Sequence, residues 1–248
     1  MSDKGRGGRL AVRLDKMLSE CGVASRSETA KAVRAGKVTV NGIVVRRQDV
    51  SVDPEQDAVV FFGTPVRYRK FVYVMLNKPD GYISATEDGR GEPVVTDLLP
   101  REYAAWKLFP CGRLDKHTLG LMLLTNDGQL SHRLLAPKSH VAKSYAFTTR
   151  FPLSEADVQS LCEGVDIGGY VTRPCTVELD DPQKGIITIT EGKYHQIKLM
   201  MEAVHNKITS LERITFGPLT LDPNLERGEW RELEEEELRA LLSRNEQK

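Results

Sequence analysis

Apolar positions along the chain mark short helices and strands in alternation. Leu14, Met17 and Leu18 recur at i, i+3 and i+4 and predict a helix from Arg13 that ends near Gly22. Ser25 followed three residues later by Glu28 forms a capping box, which predicts a second helix through Ala35, stopped by Gly36. Lys37 to Val45 alternates about Asn41-Gly42, the dipeptide that most strongly marks a tight hairpin. Gly63-Thr64-Pro65 and the basic run Arg67 to Lys70 then interrupt the pattern. The chain is therefore divided into a disordered basic tail at 1–10, a compact module at 11–63, a linker at 64–70 and a larger domain at 71–248.

In the larger domain Phe71 to Asn77 predicts a strand and Lys78-Pro79-Asp80-Gly81-Tyr82 a turn, because proline cannot continue a ladder. Ser84 to Pro93 reads as a polar loop. Leu119 to Leu124, bounded by glycines and by Asn126-Asp127-Gly128, is punctuated like a buried strand. Gln129 to Leu135 predicts a helix stopped by Pro137, Val141 to Thr149 a strand, and 153–163 a helix capped by Ser154. Val171 to Leu179 and Gly185 to Glu191 read as strands. After Glu191 a helix opens with Ile197, Met200, Met201 and Val204 as its apolar stripe. The acidic end, Glu232 and Glu234 to Glu237 running into Leu238, Leu241 and Leu242, reads as a solvated helix face. Alternating short strands and helices are compatible with an α+β class.

Charge sharpens the division. Lys plus Arg and Asp plus Glu both number 35, which excludes a uniformly basic coat. Yet residues 1–50 carry eleven basic against five acidic side chains, while 222–248 carry five against nine. Arg13, Lys16, Arg26, Lys31, Arg34, Lys37, Arg46 and Arg47 decorate the first module. That many cations on so small a unit suit RNA phosphates, although an ordinary solvated basic surface has the same composition. Four scattered cysteines form no C-x-x-C pair, and the five histidines match no metal-ligand spacing, so neither a metal nor a disulfide framework is expected. Gly168-Gly169 lacks the residues of a phosphate-binding loop, and no nucleotide cofactor is indicated. Without an apolar run of membrane-spanning length or a signal-peptide core, the protein is expected to be soluble and cytoplasmic.

The candidate chemistry centres on Asp115, which precedes the buried strand in a Gly-started loop where a reactive side chain is held yet reachable. On spacing alone an Asp beside Arg113 and Lys116 is more often a turn residue or an ion-pair partner than a nucleophile. The run G-R-L-D followed by T-x-G-L-x-L-L-T-N-D-G, however, resembles the signature of bacterial ribosomal-RNA pseudouridine synthases of the RsuA/RluB/RluE/RluF type. N-K-P-x-G-Y at Asn77 to Tyr82 resembles the opening of their catalytic domain, K-x-Y at Lys143 to Tyr145 their second motif, and E-G-K-Y-H-Q-I-K at Glu191 to Lys198 their third. R-L-D-K-x-L-x-x-x-G-V-A-S-R-S-E with R-A-G-K-V-T-V-N-G is similar to the small RNA-binding module of a ribosomal protein and of tyrosyl-tRNA synthetases. In that module Asp15 reads as a helix residue.

The resemblance implies a bilobed catalytic domain with a mixed or antiparallel sheet, preceded by an RNA-binding module. Asp115 is implied as the catalytic carboxylate, acting on the ribose anomeric carbon by direct attack or by promoting elimination. Tyr145, otherwise an ordinary core aromatic of a strand, is implied to pack on the flipped base and to take part in proton transfer. Lys198, otherwise a snorkelling surface lysine, is implied to pair with Asp115. A cation beside a partly buried carboxylate favours its charged form. Arg113 and His195 join the module's cations as expected RNA contacts. H-Q-I-K and R-I-x-F-G-P-L-x-L-D look more like the small-subunit enzymes than the large-subunit ones. The expected partner is thus small-subunit (16S) ribosomal RNA, free or in an assembly particle, with the protein acting as a monomer. Large-subunit (23S) RNA, a base-releasing glycosylase and a non-catalytic assembly protein are the rivals.

Overall fold

The computed structural model describes residues 11–66 and 68–243. The expected tail at 1–10 and Arg67 of the expected linker lie outside the described residues. Contacts divide the chain into two units: one runs to Val72 and takes in Pro100–Lys107, and the other comprises Tyr73–Leu99 and the chain from Leu108 onward.

In the first unit α1 (Leu14–Glu20) and α2 (Arg26–Arg34) precede a small sheet. The Ser25 side chain accepts from the Glu28 N–H while the Glu28 carboxylate accepts from the Ser25 N–H, so the capping box forms as read. The hairpin is β1 (Val38–Val40) and β2 (Ile43–Val44), turning at Asn41 and Gly42, both at positive φ. Two further strands, β3 (Val59–Phe61) and β4 (Thr64–Val66), extend the sheet in the order β2-β1-β3-β4. Part of the segment expected to be a linker is thus paired backbone. Val66 and Tyr68 pack on the module's core of Leu14, Met17, Leu18, Ala32, Val33, Val38, Val52 and Val59, and the Tyr68 hydroxyl donates to Glu20 at 3.3 Å. A Pro in an edge strand is tolerated because its missing N–H faces away from the ladder, which is why Pro65 did not end the sheet.

The second unit is built on a nine-stranded sheet. Its strands are β5 (Tyr73–Lys78), β6 (Phe109–Cys111), β7 (Leu119–Thr125), β8 (Lys143–Thr149), β9 (Thr176–Asp181), β10 (Lys184–Ile189), β11 (Ile208–Phe216), β12 (Leu219–Thr220) and β13 (Trp230–Glu232). The main order is β9-β10-β8-β11-β7-β5-β13, with β6 beside β7 and β12 beside β11. Every pairing is antiparallel except β7 with β11, which run parallel through Leu119–Glu212 and Gly120–Arg213. Helices α3 (Gly128–Leu135), α4 (Glu155–Glu163), α5 (Gln196–Ala203) and α6 (Glu235–Ser243) complete the unit. Leu121 to Leu124 and Val74 to Leu76 are wholly buried, so the middle of β7 and β5 is the core.

Two boundaries differ from expectation. Val171 makes only an isolated bridge to Asp166, and the strand begins at Thr176, because Pro174 has no N–H to give a ladder. The helix after Glu191 starts only at Gln196, since His195 has left-handed backbone, φ 50°.

Candidate active site

Asp115 is held by two loops laced together. Lys78, the last residue of β5, is fully buried, and its ammonium donates to the carbonyls of Pro79 at 3.1 Å, Lys116 at 3.0 Å and Thr118 at 2.9 Å. The Gly81 N–H donates to the Lys116 carbonyl, and the Ser84 hydroxyl donates to the Leu114 carbonyl while accepting from the Leu114 N–H. His117 and Asp80 share a hydrogen bond of 2.9 Å, and Lys116 pairs with Glu92. The turn after β5 therefore clamps 114–118 from one side, and β7 anchors it from the other. Burial pushes the Lys78 ammonium down to about 8, with Asp80 and Asp115 opposing that effect.

The Asp115 side chain remains 28% exposed, reachable from the cleft beside it. The Lys198 ammonium, 29% exposed, donates to its Oδ2 at 2.7 Å, and His195 Nε2 lies 3.5 Å from Oδ1. A charge-assisted contact of that length fixes both partners. Lys198 comes from the first turn of α5, whose start is set by the loop before it. The Lys193 N–H donates to buried Gln196 Oε1, and Gln196 Nε2 donates to Glu191 Oε1.

Tyr145 projects from β8, 7% exposed, in register opposite Arg213 of β11. Arg213 is 1% exposed; its Nε donates to the Leu121 carbonyl at 2.8 Å and its guanidinium lies 5.1 Å from the Phe216 ring centre. Both line a cleft of about 660 Å³ together with Asp115, His195 and Lys198. That volume lies within the roughly 300–1,000 Å³ of ligand pockets. Six cations, Arg113, Lys143, Arg173, Lys193, Lys198 and Arg213, face two carboxylates, Asp115 and Glu191. A chain of zero net charge thus presents an electropositive cleft.

Asp115, Tyr145, Lys198, Arg113 and His195 are brought together. The module's cations form a separate set: Lys16, Arg26, Lys31, Arg34 and Lys37 are exposed. Arg13 spends two N–H groups on Asp15 and Lys16 pairs with Glu20. Asp15 is a buried residue of α1, as read. Arg213 and Lys78 escaped the sequence reading. The β-branched and aromatic residues Ile208, Thr209, Ile214, Thr215 and Phe216 around Arg213 are the available signal for a strand. Among the described residues no three His, Cys, Asp or Glu side chains converge as a metal site, and no helix is long and apolar enough to cross a membrane.

Comparison with known proteins gives this geometry its family. Residues 72–203 match the RNA pseudouridylate synthase family and residues 12–57 the S4 domain. The chain is 48% identical to an uncharacterized RNA pseudouridine synthase, YtzG, of Bacillus subtilis (strain 168), over 93% of this chain and 98% of that one. It is 42% identical to ribosomal small subunit pseudouridine synthase A of Yersinia pestis, again over 93% and 98%. The corresponding Escherichia coli (strain K12) protein is 38% identical over 93% of this chain and all of its own. A crystal structure of a pseudouridylate synthase, 36% identical, superposes with a TM-score of 0.65 over 93% of this chain and 99% of that one. With an S4 domain preceding a sheet that carries Asp115 at the edge of an electropositive cleft, the chain belongs to the RNA pseudouridine synthase family.

Proposed function

We propose that this protein isomerises a specific uridine of small-subunit (16S) ribosomal RNA to pseudouridine, with Asp115 as the catalytic carboxylate, and that it does so as a cytoplasmic monomer. The observation that carries the reading is the Asp115–Lys198 contact of 2.7 Å at the wall of a cleft lined by cations. The small-subunit assignment is supported by the names of the Yersinia pestis and Escherichia coli relatives.

The reaction breaks the bond between ribose C1′ and uracil N1, turns the base, and joins C5 to C1′. N1 gains a proton and C5 loses one, so no redox partner is consumed. Asp115 acts on the ribose, by attack at C1′ or by promoting elimination. Lys198 stabilises its negative charge and fixes its orientation. Tyr145 offers a flat face to the flipped uracil and a hydroxyl at its rim. Arg113 and His195 at the cleft, and Arg13, Lys16, Arg26, Lys31, Arg34 and Lys37 on the module, contact RNA phosphates. Taking the base out of its stack costs a few kcal/mol, which these contacts offset. The domains that carry out these roles are the module to Val72 and the catalytic sheet beyond it.

The test is to incubate unmodified 16S and 23S rRNA with the protein and map pseudouridine by carbodiimide-dependent reverse-transcription stops. A single new stop in 16S rRNA is expected. A stop in 23S rRNA alone would transfer the substrate to the large subunit, and release of free uracil would mark a glycosylase.

A further inference from the structure

The cleft carries an aromatic pair of which the reaction as described uses only His195. The ring of Tyr194 stacks on that of His195, with centroids 3.8 Å apart and planes 20° from parallel. Tyr194 is 75% exposed, so the face of the pair away from His195 is open. The loop that displays it is firmly built. Besides the Lys193–Gln196–Glu191 bonds, the Arg173 N–H donates to Glu191 Oε1 at 3.0 Å, the Tyr170 hydroxyl donates to Oε2 at 2.7 Å, and the Lys193 ammonium sits 4.1 Å from the Tyr170 ring centre. His195 takes left-handed backbone there, a conformation that a non-glycine residue adopts at some cost. An exposed tyrosine on so ordered a loop covers no core.

We infer that Tyr194, backed by His195, is a stacking platform for a base that flanks the target uridine. The inference rests on the pseudouridine synthase reading above and names a residue of that site which binds a second nucleotide. Flipping a uridine out of its stack leaves its neighbours without a partner, and an aromatic face at the rim supplies one. The two tyrosines divide the work by depth. Tyr145, 7% exposed, and Tyr194, 75% exposed, line the same cleft, the one buried in its wall and the other open to solvent. His195 links the levels, with its Nε2 3.5 Å from Asp115 Oδ1 and its ring under Tyr194. Arg113 and Lys193, which line the same cleft, suit the phosphates of the strand that carries both bases. Because every base has a π-face, this contact favours an open strand over a particular neighbour and sets how the strand lies.

The test measures KM and kcat by tritium release from 16S rRNA transcript labelled at uridine C5, alongside melting temperature. Tyr194→Ala is expected to raise KM about 5- to 150-fold, with a smaller fall in kcat, and Tyr194→Phe and Tyr194→Trp to restore KM. A synthetic RNA spanning the modified uridine, with 2-aminopurine on one side or the other, is expected to be quenched by wild-type and by Asp115→Asn protein but not by Tyr194→Ala. An unchanged KM in Tyr194→Ala, or quenching that survives in it at both positions, overturns the platform while leaving the reaction intact. Failure of the wild-type protein to form pseudouridine in any rRNA overturns the reaction itself, and the platform with it.

Discussion

Lys198 Nζ lies 2.7 Å from Asp115 Oδ2 although 83 positions separate them in the chain. The aspartate comes from a loop entering β7 and the lysine from the opening of α5, so the contact exists only in the folded sheet. Replacing Lys198 by Met removes the ammonium in direct contact with the carboxylate. A preorganised charged contact of this kind accounts for about 10²- to 10³-fold in turnover, and Lys198→Met is expected to lose that much kcat in single-turnover assays. Lys198→Arg, which keeps the charge, should recover most of it. Equal losses in both variants would point to packing of α5 instead.

Tyr145 separates two roles in one side chain. Tyr145→Leu removes the flat face and is expected to weaken RNA binding as well as turnover. Tyr145→Phe keeps the face and loses the hydroxyl, and it should lower kcat about 10²-fold, in line with the lower range of positioned proton transfer, with KM little changed. Steady-state kinetics on both variants checks the split.

Gly120 is where β7 and β11 meet in parallel. A Cβ there would stand 2.3 Å from the Arg213 carbonyl oxygen and 3.0 Å from its nitrogen, and φ is 95°. Gly120→Ala must push the strands apart or twist the loop that carries Asp115. We expect a loss of about 3 kcal/mol or more in urea unfolding, together with loss of activity.

Lys78 gives the fold a pH dependence of known sign. Burial lowers its ammonium from 10.5 to about 8. Between those values the unfolded chain holds a proton that the folded chain lacks, so this group makes the protein more stable as pH rises from about 8 to 10.5, by up to about 3 kcal/mol. Urea titrations at pH 7 and pH 10 should show wild type gaining stability relative to Lys78→Met. A constant difference between the two proteins would contradict the assignment.

Sequence legibility followed the range of the signals. Ser25 with Glu28, Ser154 with Asp157, and Asn41-Gly42 act within four residues, and each forms the cap or turn read from it. The apolar run of β7 was legible because both its faces are buried. Lys78 reads as part of a turn because its partners, the carbonyls of Lys116 and Thr118, lie 38 and 40 residues away, beyond any local pattern. β11 was not recognised as a strand. Its apolar residues, Ile208, Leu211, Ile214 and Phe216, show no period-two alternation, and Arg213 is buried against the Leu121 carbonyl of β7 and the Phe216 ring.

The site was legible largely through resemblance. Asp115, Tyr145 and Lys198 each had an ordinary structural reading, as turn residue, core aromatic and surface lysine. Their convergence on one cleft is a property of the sheet order, which places β8, β11 and β7 side by side. Periodicity carries no information about that order. Tyr194 had no role in the sequence reading, since stacking on His195 depends on the backbone reversal at His195.

The central claim is that the Asp115 carboxylate performs the isomerisation, and single-turnover tritium release from C5-labelled 16S rRNA tests it most directly. Asp115→Asn keeps size and hydrogen-bonding capacity while removing the charge. RNA binding is expected within a few-fold of wild type and tritium release is expected to fall by at least about 10³-fold, with no pseudouridine in the digested RNA. Release at the wild-type rate from Asp115→Asn, with pseudouridine formed, would contradict it.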